Sequence, residues 1–503
     1  MSLAKTYTRA QVGIDAPLVT VEVHLSNGLP AFNIVGLPET SVKESKERVR
    51  CALSNSHFLF PDQRITVNLA PADLPKQGGR YDLAIAIGIL VASGQIQHTD
   101  IQQYEFYGEL ALNGEVREIT ALVPALIAAT KAHHNCFIPQ PNEMMARLVS
   151  NSRRKVVTCL REVWADLCGQ QALAWDKTDP QPVDVALAIN MDMSEVKGQG
   201  AAKRVLEIAA TGGHNVLFLG PPGTGKSMLA QRMPTIMPAM ELQQALETAS
   251  VYSIIGKEIN PNNWRQRPFR APHHTCSAVA LVGGSSNPKP GEISLAHNGI
   301  LFLDELPEYE RKVLDSLREP METGMVSISR AAQQVDFPAR FQLIAALNPS
   351  PTGSHTDKRA TPEQVLKYLG KVSGPFIDRI DLQIELPRLS TTELQSTVQE
   401  ESSDEIRQRV EQARSQALQR QGKVNAQLSS KEIDRYCQLS EPVAAFLAKA
   451  TEKLHLSPRS YHRVIKVSRT IADLSQKEEI TLSDLKEALS YRAFERLLAQ
   501  LTT

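Results

Sequence analysis

Six cysteines are scattered along the 503 residues, and the sequence has no Cys-x-x-Cys pair. This absence argues against a disulfide framework and against a four-thiolate zinc site. His133, His134 and Cys136 lie close together, but two adjacent histidines and a nearby thiol are more typical of a solvated turn than of a metal site. We therefore expect no metal site in this cluster.

The sequence also lacks an excess of either charge and a long apolar run. Lys and Arg total 55, as do Asp and Glu, so any nucleic-acid surface must be a local patch. No run of about 18 apolar residues suggests a membrane span. The N-terminal MSLAKTYTRA has no apolar core of the kind found in signal peptides. We expect a cytoplasmic protein with no membrane span.

Changes in sequence pattern divide the chain. Up to residue 170, alternating stretches such as VTVEVHL mix with helical ones such as YDLAIAIGILVASG, and EFYGELALNGEVREI carries an Asn-Gly hairpin signal, which predicts an α+β domain. Residues 171–193 contain a polar, proline-containing linker. From 194 to 390, helices alternate with short apolar strands, a pattern typical of an α/β domain with a parallel sheet. Residues 391–503 are almost entirely helical and charged.

GPPGTGKS, residues 220–227, follows the apolar strand NVLFLG and opens the helix MLAQRM, which is the context that a phosphate-binding loop requires. Its glycines let backbone N–H groups surround phosphates, Lys226 reaches the β- and γ-phosphates, and Ser227 ligates Mg²⁺. The sequence therefore predicts a site for ATP and Mg²⁺ built from Gly220, Pro221, Pro222, Gly223, Thr224, Gly225, Lys226 and Ser227.

Two further apolar strands end in polar side chains. GILFLDELPE, residues 299–308, contains Asp304, predicted to hold the Mg²⁺, and Glu305, predicted to polarise the attacking water. FQLIAALNP, residues 341–349, contains Asn348, predicted to position that water against the γ-phosphate. An isolated asparagine would more often be a turn residue, but the order of the strands favours the functional role.

Phosphoryl transfer also requires positive charge near the γ-phosphate, often an arginine from a neighbouring subunit. FIDRIDLQIELP carries Arg379 between two aspartates just before a strand, and LSPRSYHRVIKVSRTIADL carries Arg459 at a helix start. Each arginine, considered alone, would more often be a surface salt-bridge partner.

Together, GPPGTGKS, GILFLDELPE, AALNP, DRIDL and SPRSYHR resemble the AAA+ ATPases, specifically the magnesium-chelatase-like branch. Within that branch, SNGLPAFNIVGLPETSVKESKERVR, NLAPADLPKQGGRYDLAIAIGIL, FRAPHHT and KPGEISLAHNGILFLDELPE are similar to the ComM/YifB family. These motifs are long and specific, and they cover essentially the whole chain.

The resemblance implies an α/β P-loop AAA+ core between an N-terminal Lon-protease-like α+β domain and a C-terminal helical lid. It also implies hexameric rings with ATP between subunits, in which Arg379 is the arginine finger acting in trans and Arg459 is the second sensor that closes the lid over the nucleotide. The family is described as ATP-dependent DNA helicases that drive branch migration during natural transformation and homologous recombination. The implied partners are single-stranded and branched double-stranded DNA, with recombination proteins as further candidates.

Two departures from family patterns matter. In Lon-like peptidases the turn after the Pro-Lys pair carries a nucleophilic serine, whereas PKQGGRYDL has Arg80 there, and Val123 and Ala125 lie near the position of the catalytic lysine. Without a nucleophile and a base we expect no peptidase activity. Many relatives also carry cysteines after the Asn-Pro, whereas NPSPTGSHTDKRATPEQ has none, so a metal site there is not expected.

A basic insertion, residues 257–291, separates the phosphate loop from the acidic strand. It contains five basic residues up to position 290, Lys257, Arg265, Arg267, Arg270 and Lys289, against Glu258 alone. VALVGG followed by SSNPKPG is interpreted as a hairpin that projects from the core, and a second hairpin is predicted at 324–341 with Arg330 near its tip.

Basic side chains repeated around a ring would bind the phosphate backbone without reading bases. The candidate DNA-binding residues are Arg270, His273, His274, Lys289 and Arg330. The two histidines could instead organise the loop, and the whole insertion could instead stabilise a subunit interface.

The leading hypothesis is therefore an ATPase that couples ATP hydrolysis to DNA branch migration or unwinding. Two alternatives stay open at this point. One is a magnesium chelatase motor subunit, which would support insertion of Mg²⁺ into a porphyrin. The other is a protein-remodelling ATPase of the MoxR type.

Overall fold

The computed structural model describes residues 3–97, 100–176, 191–284, 288–330, 333–351, 360–390, 393, 400–454 and 456–502. The chain forms two compact units. Unit 1 comprises Met1–Asp184, Leu242–Trp264 and Ser329–Phe337, and unit 2 comprises Val185–Glu241, Arg265–Ile328 and Pro338–Thr503. Most of the linker predicted at 171–193 lies outside the described residues.

Strands and helices are numbered along the chain. The strands are β1 Leu3–Arg9, β2 Leu18–Ser26, β3 Ala31–Val35, β4 Arg64–Ala70, β5 Tyr104–Phe106, β6 Glu109–Leu110, β7 Val116–Arg117, β8 Asn135–Pro139, β9 Arg154–Val157, β10 Val216–Leu219, β11 Phe269–Arg270, β12 Ile300–Leu303, β13 Met325–Arg330, β14 Gln333–Pro338, β15 Gln342–Leu347 and β16 Leu382–Glu385. The helices are α1 Thr40–Lys43, α2 Ser45–Asn55, α3 Asp82–Ala92, α4 Leu122–Lys131, α5 Glu143–Ala146, α6 Leu160–Leu167, α7 Gly200–Gly212, α8 Lys226–Ile236, α9 Leu242–Ile254, α10 Ala278–Val282, α11 Glu292–Leu295, α12 Arg311–Ser316, α13 Arg318–Thr323, α14 Pro362–Leu369, α15 Gly374–Ile377, α16 Ser403–Gln421, α17 Ser430–Tyr436, α18 Glu441–Lys453, α19 Pro458–Leu474, α20 Leu482–Ser490 and α21 Ala493–Thr502.

Unit 1 is built on a seven-stranded mixed sheet in the order β3-β4-β2-β1-β5-β8-β9. β2 is antiparallel to β1 and β4, and the other neighbours run parallel. Alternate residues of β2 are buried, as the period of VTVEVHL predicts. α3 is buried on nearly all sides, which explains its continuous apolar sequence. The predicted Asn-Gly hairpin is confirmed, because β6 and β7 pair antiparallel around Asn113 and Gly114.

Two segments from the 194–390 stretch of the sequence belong to unit 1. α9 packs against α4, and the backbone N–H of Ala121 donates to the carbonyl oxygen of Ser253 in α9 at 2.8 Å. β14 approaches Gly13 so closely that a Cβ there would lie 2.8 Å from Val335 Cγ1. Gly13 also has a φ of 57°, a conformation that favours glycine. Residues 242–264 and 329–337 therefore pack with the N-terminal part of the chain.

A fully buried carboxylate, Glu105 on β5, is held by three side chains inside unit 1. Arg9 donates to it from Nε and Nη2 at 2.8 and 2.7 Å, His134 Nδ1 lies 2.7 Å away, and Tyr107 donates its hydroxyl. Arg9 is itself nearly buried. Removing one member of such a pair leaves the other charge without compensation in the interior.

The Arg9→Met substitution is therefore expected to destabilise unit 1 by about 3–5 kcal/mol. The chain has three tryptophans, Trp164, Trp175 and Trp264, and all belong to unit 1, so urea unfolding followed by tryptophan fluorescence measures this unit. The double variant Arg9→Met/Glu105→Gln removes both charges and should recover part of the loss. An unchanged urea midpoint for Arg9→Met would show that the pair contributes nothing.

Unit 2 is built on a five-stranded sheet in the order β11-β12-β15-β10-β16, in which all neighbours run parallel. The parallel sheet predicted for this part of the chain is confirmed. β10, β12 and β15 are buried along their whole length, as expected for strands covered on both faces.

The predicted helical C-terminal region is also confirmed, and it packs on the sheet of unit 2. A single apolar core includes side chains of β10, β15 and β16 and of α19 and α20. The buried His214, just before β10, joins the two parts: its Nδ1 lies 3.1 Å from Asp381 Oδ2 and its Nε2 lies 2.8 Å from Thr470 Oγ1 in α19. Among the described residues, none of the helices combines the length and apolar character needed to span a bilayer.

One local prediction was wrong. VALVGG, interpreted together with SSNPKPG as a hairpin, contributes residues 279–282 to α10. Ser277 is its N-cap, since the Ser277 hydroxyl accepts a hydrogen bond from the backbone N–H of Ala280 at 3.1 Å. Gly283, which follows this helix, forms an antiparallel bridge with Pro290. Residues 285–287 lie outside the described residues.

Candidate active site

Three adjacent strands of unit 2 end at the same edge of the sheet. β15 lies between β12 and β10, and Leu347 pairs with Leu219 while Ala345 pairs with Leu303. The residues that follow these strands are Gly220, Asp304 and Asn348. The carboxyl ends of parallel strands are the usual place for a ligand in an open α/β sheet.

The loop from Gly220 to Gly225 is shaped for a phosphate. Gly223 and Gly225 have φ values of 80° and 90°, and a Cβ added to either would meet no other atom within 4 Å, so their exposed side is open. Gly220 is packed instead, because a Cβ there would lie 2.7 Å from the carbonyl oxygen of Leu386. α8 begins at Lys226, so its N-terminal N–H groups face the loop. The loop therefore fits a nucleotide phosphate.

The ammonium group of Lys226 is held at the centre of the site. It donates to the carbonyl oxygens of Gly220 and Pro221 at 2.6 and 3.0 Å, and to Asn348 Oδ1 at 3.1 Å. Burial lowers the pKa of Lys226 from its usual range, against the opposing charges of Asp304 and Glu305. Lys226 and Asn348, predicted to contact the γ-phosphate and to position its water, thus meet from the ends of β10 and β15.

The two predicted Mg²⁺ ligands are in direct contact. The Ser227 hydroxyl donates to Asp304 Oδ2 at 2.6 Å, and Asp304 Oδ1 accepts the backbone N–H of Glu305 at 2.9 Å. Within the described part of the chain there is no group of three or more His, Cys, Asp or Glu residues that could hold a metal. A hydroxyl and one carboxylate beside a phosphate loop suit Mg²⁺, which usually binds one or two protein groups together with phosphates and waters.

Glu305 leaves the strand in an unusual conformation. Its φ is 52°, and the following turn, Leu306–Glu308, buries Leu306 and Pro307. The carboxylate itself is about half exposed and lies 3.2 Å from His274 Nδ1. The backbone of Glu305 is therefore fixed, while its carboxylate remains accessible.

The predicted arginine finger and the predicted second sensor both lie near the carboxylate of Glu322. Arg379 Nη2 lies 2.6 Å from Glu322 Oε1 in an ion pair, and Arg379 Nη1 donates to the carbonyl oxygen of Pro375 at 2.6 Å. Arg459 Nη2 lies 3.8 Å from the same oxygen of Glu322. The described contacts of both arginines involve Glu322 and not the phosphate loop.

The residues predicted to bind DNA have different surroundings. Arg270 on β11 forms two 2.6 Å hydrogen bonds to Glu292, so it is part of an ion pair. His273 and Lys289 are exposed, and His274 contacts Glu305. The side chain of Arg330 lies outside the described residues. The role of all five in DNA binding stays a prediction.

A second arginine of the insertion has a structural role. Arg267 is buried and donates to the carbonyl oxygens of Pro238 and Asn298 at 2.8 and 2.7 Å. Burial lowers its pKa to about 9. The count of basic residues between 257 and 290 therefore overstates the positive charge available to a ligand.

Comparison with known proteins decides the family. The family models "Subunit ChlI of Mg-chelatase", "Magnesium chelatase, subunit ChlI" and "Magnesium chelatase, subunit ChlI C-terminal" match residues 21–142, 192–394 and 400–492. Competence protein ComM of Haemophilus influenzae is 53% identical over 507 residues, covering 100% of each chain. The chain belongs to the magnesium-chelatase-like ComM/YifB family.

Other relatives agree with this assignment. The uncharacterized protein YifB of Escherichia coli is 49% identical over 505 residues, covering 100% of this chain and 99% of YifB. Magnesium-chelatase subunit ChlI-2 of Arabidopsis thaliana chloroplasts is 20% identical over 302 residues, covering 54% of this chain and 66% of the subunit. The mixed α/β architecture and helical C-terminal region of this ComM/YifB chain fit a magnesium-chelatase-like AAA+ fold, and the family suggests an ATPase that depends on nucleotide and Mg²⁺.

Two contacts in this ComM/YifB chain were not predicted from its sequence. One joins His274 to Glu305, and the other joins Glu322 to Arg379 and Arg459. The HHT segment lies in the basic insertion, and its composition does not indicate a contact with the predicted catalytic carboxylate. Glu322 lies in REPMETGM, where no pattern marks it.

Proposed function

We propose that the chain is an ATP-dependent DNA motor, a hexameric ring that migrates or unwinds branched DNA. The observation that carries the proposal is the contact of Ser227 with Asp304 beside the Lys226–Asn348 pair, in a chain 53% identical to a competence protein. These groups supply what phosphoryl transfer requires, which is positioning and charge stabilisation. Competence concerns the uptake and use of external DNA, so the proposed setting is natural transformation and homologous recombination.

In the proposed reaction Glu305 accepts a proton from a water molecule that attacks the γ-phosphorus, and Asn348 orients that water. Lys226 contacts the β- and γ-phosphate oxygens. The bond from the γ-phosphorus to the bridging oxygen breaks, and ADP and inorganic phosphate leave. Mg²⁺, held by Ser227 and Asp304, would neutralise charge on the phosphates.

Arg379 is proposed as the arginine finger that completes a neighbouring subunit's site, and Arg459 as the second sensor. Their shared contact with Glu322 supports a link between them, since a movement of Glu322 would affect both. The Arg379 side chain is only 9% exposed. To reach a neighbouring subunit's nucleotide it would have to separate from Glu322, and this separation is proposed to accompany contact between subunits.

Unit 1 is proposed to contain a Lon-like domain without peptidase activity. Arg80, at the position of the nucleophile in the peptidases, is buried and donates to the carbonyl oxygen of Thr120 at 2.8 Å. Val123 and Ala125 are fully buried in α4. Because none of these side chains supplies a nucleophile or a base, unit 1 is proposed to build the ring or to guide DNA.

ATP hydrolysis measured with different DNA substrates tests the proposal. We expect four-way or forked DNA to stimulate hydrolysis more than linear duplex does, with a strong dependence on salt. Lys289→Glu, which reverses an exposed charge, should weaken the stimulation. Lys449→Glu is the matched control, because Lys449 is also an exposed lysine of unit 2 but lies on α18, away in sequence from the candidate DNA-binding residues.

Absence of both DNA binding and stimulation would contradict the motor proposal. The second candidate, a chelatase motor subunit, is favoured by the similarity to magnesium-chelatase subunit ChlI-2. In that case a porphyrin with Mg²⁺, and not DNA, should change the rate of ATP hydrolysis.

A further inference from the structure

Arg80, the arginine just before α3 in unit 1, has a buried guanidinium group that is only partly hydrogen-bonded. The residue is 6% exposed. Its Nη2 donates to the carbonyl oxygens of Thr120 and Ala121 at 2.8 and 3.3 Å. Its Nη1 is also buried, and it has no hydrogen-bond partner in the part of the chain that the structure describes. A buried charge is costly unless an opposite charge and hydrogen bonds compensate it.

The groups around Arg80 do not supply a negative charge. Burial lowers the pKa of Arg80, and the two groups that act against this effect are Tyr81 and Tyr107. Burial raises the pKa of Tyr81 to about 12 and the pKa of Tyr107 well above its usual range, so both phenols are neutral near pH 7. Arg9, a second buried arginine of unit 1, differs because Glu105 lies 2.7 Å from it. Among the described residues, Arg80 has no such counter-ion.

The guanidinium of Arg80 lies beside the first turn of α4. Ala121, whose carbonyl oxygen accepts a hydrogen bond from it, is the residue just before this helix. Ser253 accepts the backbone N–H groups of Ala121 and Val123 at 2.8 and 3.4 Å. The N–H of Leu122, the first residue of α4, has no acceptor within the helix. The start of a helix carries partial positive charge, so it adds to the attraction of the guanidinium for an anion.

This group of donors lies just below the protein surface. Thr120, which accepts a hydrogen bond from Arg80, is exposed. Gly78, two residues before Arg80, is exposed as well, and a Cβ added to it would meet no other atom within 4 Å. A ligand that displaces Thr120 would therefore reach the guanidinium without opening the core of unit 1.

We propose that Arg80 and the N–H of Leu122 form a binding site for a carboxylate group. One positive charge and donors on two groups match a carboxylate, which has one negative charge and two acceptor oxygens. A phosphate dianion would bring a second negative charge to a site with a single cationic side chain. The carboxylate comes from a small molecule or from an acidic side chain of a second copy of this chain. The site does not depend on the proposed DNA motor.

Urea unfolding of the full chain, followed by tryptophan fluorescence, tests the site because all three tryptophans belong to unit 1. Sodium acetate is the probe, and sodium chloride at equal ionic strength is the reference. For the wild type we expect acetate at about ten times its Kd to raise the folding equilibrium constant about tenfold. Arg80→Met should abolish this response, and in chloride its urea midpoint should equal or exceed that of the wild type, because an uncompensated buried charge is removed.

Arg9→Met is the matched control, since it removes a buried arginine that has a counter-ion. It should lower the urea midpoint and keep the response to acetate. Arg80→Lys keeps the charge but not the planar fork, so its response to acetate should be weaker than that of the wild type. If Arg80→Met does not fold, the comparison of Arg80→Lys with the wild type decides.

The oligomeric mass, measured with and without acetate, distinguishes the two sources of the carboxylate. For a small molecule, acetate should raise the midpoint and leave the mass unchanged. For a side chain of a second copy, acetate and Arg80→Met should each lower the mass. An acetate response that is equal in the wild type and the Arg80 variants is a general effect of the salt and would overturn the proposal. The proposal also fails if acetate changes neither the midpoint nor the mass of the wild type.

Discussion

Glu305→Gln is expected to lower kcat for ATP hydrolysis by about 10²–10⁴-fold, the usual contribution of a general base. The substitution keeps the size of the side chain and removes its ability to accept a proton from water. Ser227 keeps its contact with Asp304, and Lys226 keeps its contacts with the loop carbonyls and Asn348, so ATP should bind with unchanged affinity. Phosphate release gives kcat, and a fluorescent ATP analogue gives the affinity.

Glu308→Gln is the matched control for this experiment. Glu308 ends the same short turn, and its only described ion pair is a 3.8 Å contact with Lys371. The Glu308→Gln substitution should therefore change kcat for ATP hydrolysis little. If Glu305→Gln retained kcat within a factor of about ten while binding ATP normally, Glu305 would not be the base.

The phosphate loop and the strands beside it could be predicted because each signal lies in one continuous stretch. An apolar strand, a glycine-rich loop and a helix follow one another in NVLFLGPPGTGKSMLAQRM, and the structure has them as β10, the loop and α8. The polar ends of β12 and β15 could be predicted to meet them because parallel strands share an edge. The Ser227–Asp304 contact follows from that geometry.

The division of the chain into units could not be predicted in the same way. α9 is buried at Val251, Ser253 and Ile254, a pattern that predicts a packed helix but does not indicate which sheet it covers. The structure has it against α4. The periodicity of apolar residues in a helix shows which face of the helix is buried. Which other element covers that face depends on contacts between residues that are far apart in sequence.

The error at VALVGG has a local cause. A short apolar run fits a strand and a helix equally well, so periodicity alone does not decide between them. The deciding signal was Ser277 just before the run, which caps α10, together with Gly283 just after it. These cap residues were present in the sequence and would have favoured the helix.

The contacts of His274 and Glu322 show a different limit. Each joins residues that are separated by more than 30 positions, and each depends on how a loop or a short helix lies on the sheet. Both involve a residue predicted to act on the nucleotide. In unit 2, therefore, His274 lies 3.2 Å from the proposed water-activating carboxylate, and Glu322 forms an ion pair with the proposed finger arginine.

Arg379→Ala is expected to lower kcat by about 10³–10⁵-fold if Arg379 is the finger, because that arginine stabilises charge that develops in the transition state. Nucleotide binding in the altered subunit should persist, since the described contacts of Arg379 are with Glu322 and Pro375 and not with the loop. Arg435→Ala, which removes an exposed arginine of α17, is the control and should change kcat little.

Mixed rings distinguish action within a subunit from action between subunits. Lys226→Ala subunits lack the ammonium group that contacts phosphate but keep Arg379, and Arg379→Ala subunits have the reverse defect. At a one-to-one ratio, random rings should recover about a quarter of wild-type activity, because each working site needs an intact Lys226 from one subunit and an intact Arg379 from the next. If mixed rings assemble, as mass measurement of differently tagged subunits can show, and still do not hydrolyse ATP at any ratio, then Arg379 does not act across the interface.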